Sequence, residues 1–292
     1  MNYEEYKEKL IEAIKDRLGE QVSIEDVPCI KNNEAKRDGF VIRSERMANP
    51  IFYIDAFYTR FCSGEDINEQ IEMMFNILSN ENVEVEKMAN KLLQGTWEEI
   101  KANVGVEVIN HNWNKTKLED VPHARLLNLA IVFRVLFDDN SSSIITNAMM
   151  KRWKITETEL MQAAFNNLRE TKFNIKKVAD VLGPEVKEEL TSDELEECPL
   201  YVMSNESQVF GASGLVRKDL LKEFVHKIGK DVFVLPSSIH EILLVPATDD
   251  VDVTYLKSMV KCVNESSVNK AEWLSENVYY FGRDKAELEM AA

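Results

Sequence analysis

Ser237, Ser238, His240 and Glu241 stand in the run Leu235-Pro-Ser-Ser-Ile-His-Glu241, between the apolar stretches Val232–Leu235 and Ile242–Val245. A hydroxyl, an imidazole and a carboxylate are the parts of an acyl-transfer site, provided that the three side chains converge. On a strand, neighbours point to opposite faces, so Ser238 and His240 share a face while Glu241 points away. A nucleophile elbow needs Gly-x-Ser-x-Gly, and Leu-Pro-Ser-Ser-Ile contains no glycine. The same letters suit a corner better. Pro236, Ser237 and Ser238 turn the chain between two buried strands, the hydroxyls cap the turn, and His240 bonds a backbone carbonyl or a nearby carboxylate. Ser237, Ser238, His240 and Glu241 remain as the catalytic candidates, with the turn as the favoured reading.

Metal chemistry has one comparable candidate. Asp138 and Asp139 follow a long apolar run, and paired carboxylates after a strand can hold magnesium as in a nuclease. Asp-Asp-Asn-Ser is equally a hairpin turn, which is the favoured reading. His111 and His123 flank a polar stretch and can meet, but their spacing matches no metal motif, and His226 lies on a separate helix. His240-Glu241 lacks a second histidine one turn later. Asp249, Asp250 and Asp252 precede a helix, where carboxylates cap and complement the dipole. Glu185-Val-Lys187 mimics a nuclease triplet but sits in an acidic connector. Neither a P-loop nor a dinucleotide fingerprint occurs in a chain with only 10 glycines. No cofactor is implied.

The elements that must position these residues belong to a soluble chain. With 292 residues, 45% of them hydrophobic and 29% charged, the sequence supports two or three compact units. Cys29, Cys62, Cys198 and Cys262 form no Cys-x-x-Cys and read as isolated thiols in a reducing compartment. The net charge of −16 is spread as −9, −3 and −4 over residues 1–100, 101–200 and 201–292. No segment is a basic stripe, so direct nucleic-acid binding is disfavoured. No apolar run approaches the roughly 18 residues of a membrane span, and the N-terminus reads as an amphipathic helix rather than a leader. The expected location is the cytoplasm, without membrane contact.

Periodicity predicts a helix over 3–17, strands at Val22–Ile30, Gly39–Arg43 and Pro50–Ile54, then helices carrying Phe57, Phe61, Ile71 and Phe75. The aromatic group Phe52, Tyr53, Phe57, Tyr58 and Phe61 reads as core. Helical signals continue over Val83–Ala102. A strand follows at Val104–Asn110, a loop at His111–Pro122, an apolar run at Leu126–Phe137 with Arg134 inside it, and a strand at Ser142–Thr146. Thr156-x-x-Glu159 is a capping box. Residues 183–197 are acidic and poor in apolar side chains. Beyond them the pattern is strand (Leu200–Ser204), strand (Gln208–Leu215), helix (Lys218–Ile228), strands (Val232–Leu235 and His240–Val245), helix (Asp252–Asn264) and strand (Asn277–Phe281). The expected class is α+β with antiparallel sheets: an N-terminal unit over 1–103, a central hairpin with helices over 104–184, an acidic connector over 185–198, and a C-terminal unit over 199–292. That last unit places two helices over one sheet, related to a split β-α-β-β-α-β pattern.

Asp38-Gly-Phe-Val-Ile-Arg43, Val132-Phe-Arg-Val-Leu136, Ser143-Ile-Ile-Thr-Asn147, Leu160-Met-Gln-Ala-Ala-Phe-Asn166 and the Leu235–Glu241 run together resemble an uncharacterised family of gut Firmicutes, the clostridia and their relatives, labelled only as a domain of unknown function. The Leu-Pro-Ser-Ser-Ile-His-Glu corner is its most specific part. The middle of the chain and the hairpin are more distantly similar to another uncharacterised family of Bacillus type. Neither resemblance implies an activity. With no catalytic constellation and an acidic surface, the sequence leans against an enzyme and toward a non-catalytic module that binds another macromolecule, a protein first of all. The alternatives are a hydrolase or metal-dependent nuclease built on scattered residues, and an acidic mimic of nucleic acid that occupies a DNA-binding partner. The oligomeric state is left open.

Overall fold

The computed structural model describes residues 1–19, 23–43, 49–78, 82–137, 141–181, 200–236 and 238–291, with only the backbone of 82–86. The fold class is α+β, and the chain divides into two compact units, Met1–Thr96 and Trp97–Ala292.

In the first unit α1 (Tyr3–Leu18) starts at a reciprocal cap, in which Asn2 accepts the Glu5 amide and the Glu5 carboxylate accepts that of Asn2. Its buried stripe is Tyr6, Leu10 and Ile14. Strands β1 (Ile24–Ile30), β2 (Lys36–Ile42) and β3 (Ile51–Tyr53) form an antiparallel sheet in that order, and α2 (Ile54–Cys62), α3 (Ile67–Asn76) and α4 (Asn82–Gln94) follow. Strand alternation sends Phe40, Ile42 and Phe52 into a core shared with α1, Phe57, Ile71 and Met74. Of the aromatic group read as core, Phe52 and Phe57 are buried and Tyr58 and Phe61 pack at the margin. Tyr53 is instead flanked by Lys31 at 4.6 Å and Arg37 at 4.1 Å from its ring centre, because it stands opposite Gly39 on the other face of the sheet.

The second unit begins with α5 (Trp97–Ile100) and a 3₁₀ turn. Strand β4 (Val104–Asn110), helix α6 (Lys115–Asp120), strands β5 (His123–Leu126), β6 (Leu129–Leu136) and β7 (Ser142–Ile144), and helices α7 (Asn147–Trp153) and α8 (Glu157–Glu170) come next. The stretch His111–Pro122, expected as a loop, thus contains a short helix, whose Leu118 is buried beside Ile109 and Val132. Strand β6 is central to a four-stranded sheet, pairing β4 on one edge and both β5 and β7 on the other. The Thr156–Glu159 capping box opens α8 as its sequence predicts.

Strand β8 (Phe173–Lys177), helix α9 (Val178–Val181), β9 (Tyr201–Asn205), α10 (Lys218–Ile228), β10 (Val232–Leu235), β11 (Ile242–Pro246), α11 (Val253–Ser267), β12 (Tyr279–Phe281) and β13 (Leu288–Met290) complete the unit. Their six-stranded antiparallel sheet has the order β13-β12-β10-β11-β9-β8. Since β8 pairs with β9, one sheet takes strands from both sides of residues 185–198. The strand expected over Gln208–Leu215 does not form. Gln208 and Phe210 take left-handed backbone, and Gly211–Val216 winds into a 3₁₀ turn.

From β9 onward the order β-α-β-β-α-β is present, and each helical crossover straddles one intervening strand. The two helices nevertheless do not lie over the same face. Leu221 and Val225 of α10 pack with Val232, Val234, Ile242 and Leu244, whereas Leu256 and Val260 of α11 pack with Leu235, Val245, Phe233 and Leu243. The strand order supplies the reason. Strand β9 connects to β10 and β11 to β12 by steps in the same direction across the sheet, but β9 and β11 run oppositely. Two crossovers of the same right hand then fall on opposite faces. Both faces of the β10–β11 hairpin are therefore covered, and the corner between these strands is the place where it meets other parts of the chain.

Candidate functional site

The corner is tied down by backbone first. The Ser275 amide donates to the Pro236 carbonyl at 3.0 Å, the Ile239 amide to the Glu272 carbonyl at 2.9 Å, and the Ile239 carbonyl accepts the Ala212 amide at 3.2 Å. Ser238 forms an isolated antiparallel bridge with Trp273 and is only 8% exposed. Its Oγ accepts the backbone amide of His240 at 3.0 Å. Ser238 and His240 are thus brought together, but through the main chain of the histidine.

His240 holds the next layer. Its carbonyl accepts the Ser204 hydroxyl at 2.8 Å, and its Nδ1 accepts the Phe210 amide at 3.3 Å, which leaves Nε2 as the proton-bearing nitrogen of the neutral ring. The imidazole stacks on Phe210 with ring centres 5.9 Å apart and planes 20° apart. Phe210 accepts a left-handed conformation, φ 56°, to present both its amide and its ring to His240, a strain of about 1–3 kcal/mol that the surrounding contacts must offset. Gly211 comes next because nothing larger fits. A Cβ there would lie 2.2 Å from Ser204 Oγ and 2.3 Å from the His240 carbonyl oxygen. Glu241 faces elsewhere, exposed, lining a shallow depression with Asn174, Lys176 and Gln208.

On Phe210 also rests the Arg134 guanidinium, 4.9 Å from the ring centre. Arg134 is paired at 2.7 Å with Glu107, whose side chain is 1% exposed, and donates from Nε to Ser142 Oγ at 2.8 Å. This buried pair crosses β4, β6 and β7. Sequence reasoning sees Arg134 in an apolar run but misses Glu107. The available signal is that both are charges inside strands whose neighbours are all apolar or glycine.

Beside this stack lies a cleft of about 420 Å³, within the range of small-ligand and peptide pockets. The first strand residues of the four-stranded sheet, Val104 to Val106, the α8 end at Asn167 and Leu168, the apolar side chains Leu136 and Phe137, and the loop residues Asn205, Val209 and Phe210 line it. Glu170 is its one ionisable lining residue among those described. Phe210 therefore belongs both to the cleft wall and to the His240 corner.

The other candidates fall as follows. Ser237, Asp138 and Asp139 lie outside the described residues, as do Glu185 and Lys187; the chain neighbours of the aspartates, Phe137 and Ser141, line the cleft. His111 and His123 do meet, with ring centres 6.0 Å apart. Arg125 Nη1 stands 2.9 Å from the His111 ring nitrogens, and His123 Nδ1 is 3.0 Å from the Val121 carbonyl, so a guanidinium occupies the approach that a cation needs. Among the described residues, no three of His, Cys, Asp or Glu come together as metal ligands. Asp252 caps α11 through the Thr254 amide at 2.8 Å. Among the described residues no helix is long and apolar enough to cross a membrane.

No curated protein matches the chain, and no solved structure does. One family does match, over residues 3–283, so that nearly the whole of both units is covered: the chain belongs to the family of unknown function DUF5688.

Proposed function

We propose that this chain is a non-catalytic module that binds another protein in a bacterial cytoplasm. One observation carries the reading. The polar atoms of the corner that resemble catalytic groups are engaged in holding backbone, Ser238 Oγ by the His240 amide and His240 Nδ1 by the Phe210 amide, and what they hold in place is the wall of an open cleft. A catalytic Ser238 needs its hydroxyl within reach of a ring nitrogen; a binding surface needs rigid aromatic and apolar walls with few charges. The second description fits the residues better. Four cysteines without a local pair support a reducing compartment, and the resemblance to families of gut Firmicutes supports the bacterial origin.

The test joins two measurements on the full chain. Cross-linking in the native host, followed by reconstitution with the captured protein, is expected to give a stoichiometric complex. A broad hydrolase and nuclease screen, with calorimetric titration of magnesium, manganese and zinc, is expected to give neither turnover nor binding. Turnover abolished by a single change at Ser238, His240 or Glu241 overturns the proposal in favour of an enzyme. Capture of a DNA-binding protein, in a complex that weakens steeply with salt, points instead to an acidic mimic of nucleic acid.

A further inference from the structure

Strand β4 has only one paired edge, and the register says which of its groups face the other. In an antiparallel pair the N–H and C=O of one residue point to the same side, and directly opposite residues either exchange both bonds or neither. Phe133 gives its carbonyl to the Ile145 amide, away from β4. Val106 stands directly opposite Phe133, so its own N–H and C=O point away from β6. Val104, two residues earlier, confirms the phase: its carbonyl accepts the Asn167 side-chain amide at 2.8 Å, and its amide donates to the Lys101 carbonyl. Among the described residues, neither backbone group of Val106 has a hydrogen-bond partner. Val106 is nevertheless buried, and it lines the 420 Å³ cleft.

A buried strand edge with an unpaired donor and acceptor is rare in a finished fold. One step along the same edge Asn167 covers the Val104 carbonyl, whereas Val108, one step the other way and in the same phase, is packed into the core with Met203 and Ala212; Val106 alone of the three meets the cleft without such cover among the described residues. We infer that the cleft receives an extended peptide segment of a partner protein, which adds as a strand to β4 and pairs its backbone with Val106 N–H and C=O. This rests on the protein-binding reading and says where and how the partner is held. The chemistry of the walls narrows the segment. Leu136, Phe137, Val209 and Phe210 offer apolar surface to its alternate side chains, and no basic residue lines the cleft among those described, so an apolar or neutral segment fits and an acidic or phosphorylated one does not. The Glu107–Arg134–Phe210–His240 stack then has a purpose, which is to fix one wall of the groove before the segment arrives.

The experiment uses the full chain, with a phage-displayed random dodecapeptide library as the probe and amide hydrogen exchange by NMR as the readout. In the free chain the Val106 amide is expected to exchange at least tenfold faster than those of Gly105 and Glu107, which face β6. A selected peptide is expected to slow Val106 at least tenfold, and to lose tenfold or more in affinity with Val209→Arg, which fills the half-exposed cleft wall, and with Val106→Pro, which deletes the donor. Where Val106→Pro does not fold, Val209→Arg decides. Val106 protected in the free chain as strongly as Glu107 overturns the inference. So does a selected peptide, or the captured partner, that binds Val209→Arg unchanged, and in that case the protein-binding reading stands while the cleft assignment falls. Failure to select any peptide and to capture any partner counts against both.

Discussion

Replacing Glu107 by alanine removes the carboxylate from a pair in which it is almost wholly buried, and strands the Arg134 guanidinium between Ser142 and Phe210. Breaking a buried pair from one side costs about 3–5 kcal/mol, because the remaining charge has lost its water without keeping its partner. Arg134 retains 19% exposure and its bond to Ser142 Oγ, so the lower end, about 3 kcal/mol, applies to Glu107→Ala. For a cooperative unit of this size that is a fall in Tm of roughly 6–12 °C. Arg134→Met takes the guanidinium from the more deeply buried of the two charges and is expected to cost about 4 kcal/mol. The double replacement Glu107→Met with Arg134→Met removes both charges and refills the volume, and is expected to cost less than either single change. Urea unfolding followed by tryptophan fluorescence measures all three, with unchanged m values confirming that stability alone has moved. A double variant that loses the sum of the two singles refutes the reasoning, since uncoupled sites add and paired ones do not.

Further outcomes follow from the corner and the sheet. Ile242→Ala and Leu244→Ala are both fully buried truncations on one face and should each cost about 2–5 kcal/mol, whereas Ser238→Ala should cost about 1 kcal/mol; melts that reverse this order contradict the structural role of the corner. Gly211→Ala must displace both the Ser204 hydroxyl and the His240 carbonyl, so a loss of about 1–3 kcal/mol is expected, only partly relieved by adding Ser204→Ala; full relief would place the whole clash on the serine. Asp231 accepts the Tyr280 hydroxyl at 2.6 Å and the Arg283 amide at 2.9 Å, which hold its carboxyl below the usual range, the tyrosine first. A depressed folded pKa gives stability that is present above the unfolded value, about 4, and lost as pH falls through the folded one, so Asp231→Asn should flatten the acid limb of a stability–pH curve. The same bond pushes Tyr280 up to about 12, and stability should also fall as pH rises from about 10 toward that value; a curve unchanged by Asp231→Asn at both ends removes this pair as its cause.

How much of this is legible in the sequence depends on the kind of signal. Helix α10 and strand β10 have the limits that periodicity predicts, because Leu221, Val225 and Ile228 keep one face and Gly229 ends the helix in the left-handed region. The Thr156 box and the Asp252 cap are also legible, being local patterns of side chain to backbone. Gln208–Leu215 is misread because a short stretch with Val209, Phe210 and Leu215 and without charge suits a strand, while its conformation is set by distant partners: Ala212 binds Ile239, Phe210 binds His240, and Gly211 packs against Ser204. The placement of α10 and α11 on opposite faces is illegible for a different reason. Element order is the same for both possible sheet orders, and only the pairing of β12 with β10 rather than with β9 decides between them.

The same distinction explains how Ser238 and His240, which look like chemistry, come to hold backbone in this fold. A motif is read from side-chain types, and Ser238 and His240 have types that serve equally for catalysis and for satisfying backbone. Their hydroxyl and imidazole are drawn into the corner because amides at His240 and Phe210 would otherwise lack partners in a region closed by Ile239, Trp273 and Ala212. The feature that most calls for a ligand has no type at all. Val106 is one valine among several in β4, and nothing in its letter separates it from Val104 or Val108. Val104, Val106 and Val108 share one phase of hydrogen bonding across β6, fixed by Phe133 and Ile145; what singles Val106 out is that Asn167 covers the Val104 carbonyl and Val108 is packed in the core, while Val106 lies on the cleft. A side-chain site can be guessed from composition, but an open strand edge exists only once the register is known, which is why the hydrogen exchange of a single backbone amide is the measurement on which the binding cleft stands or falls.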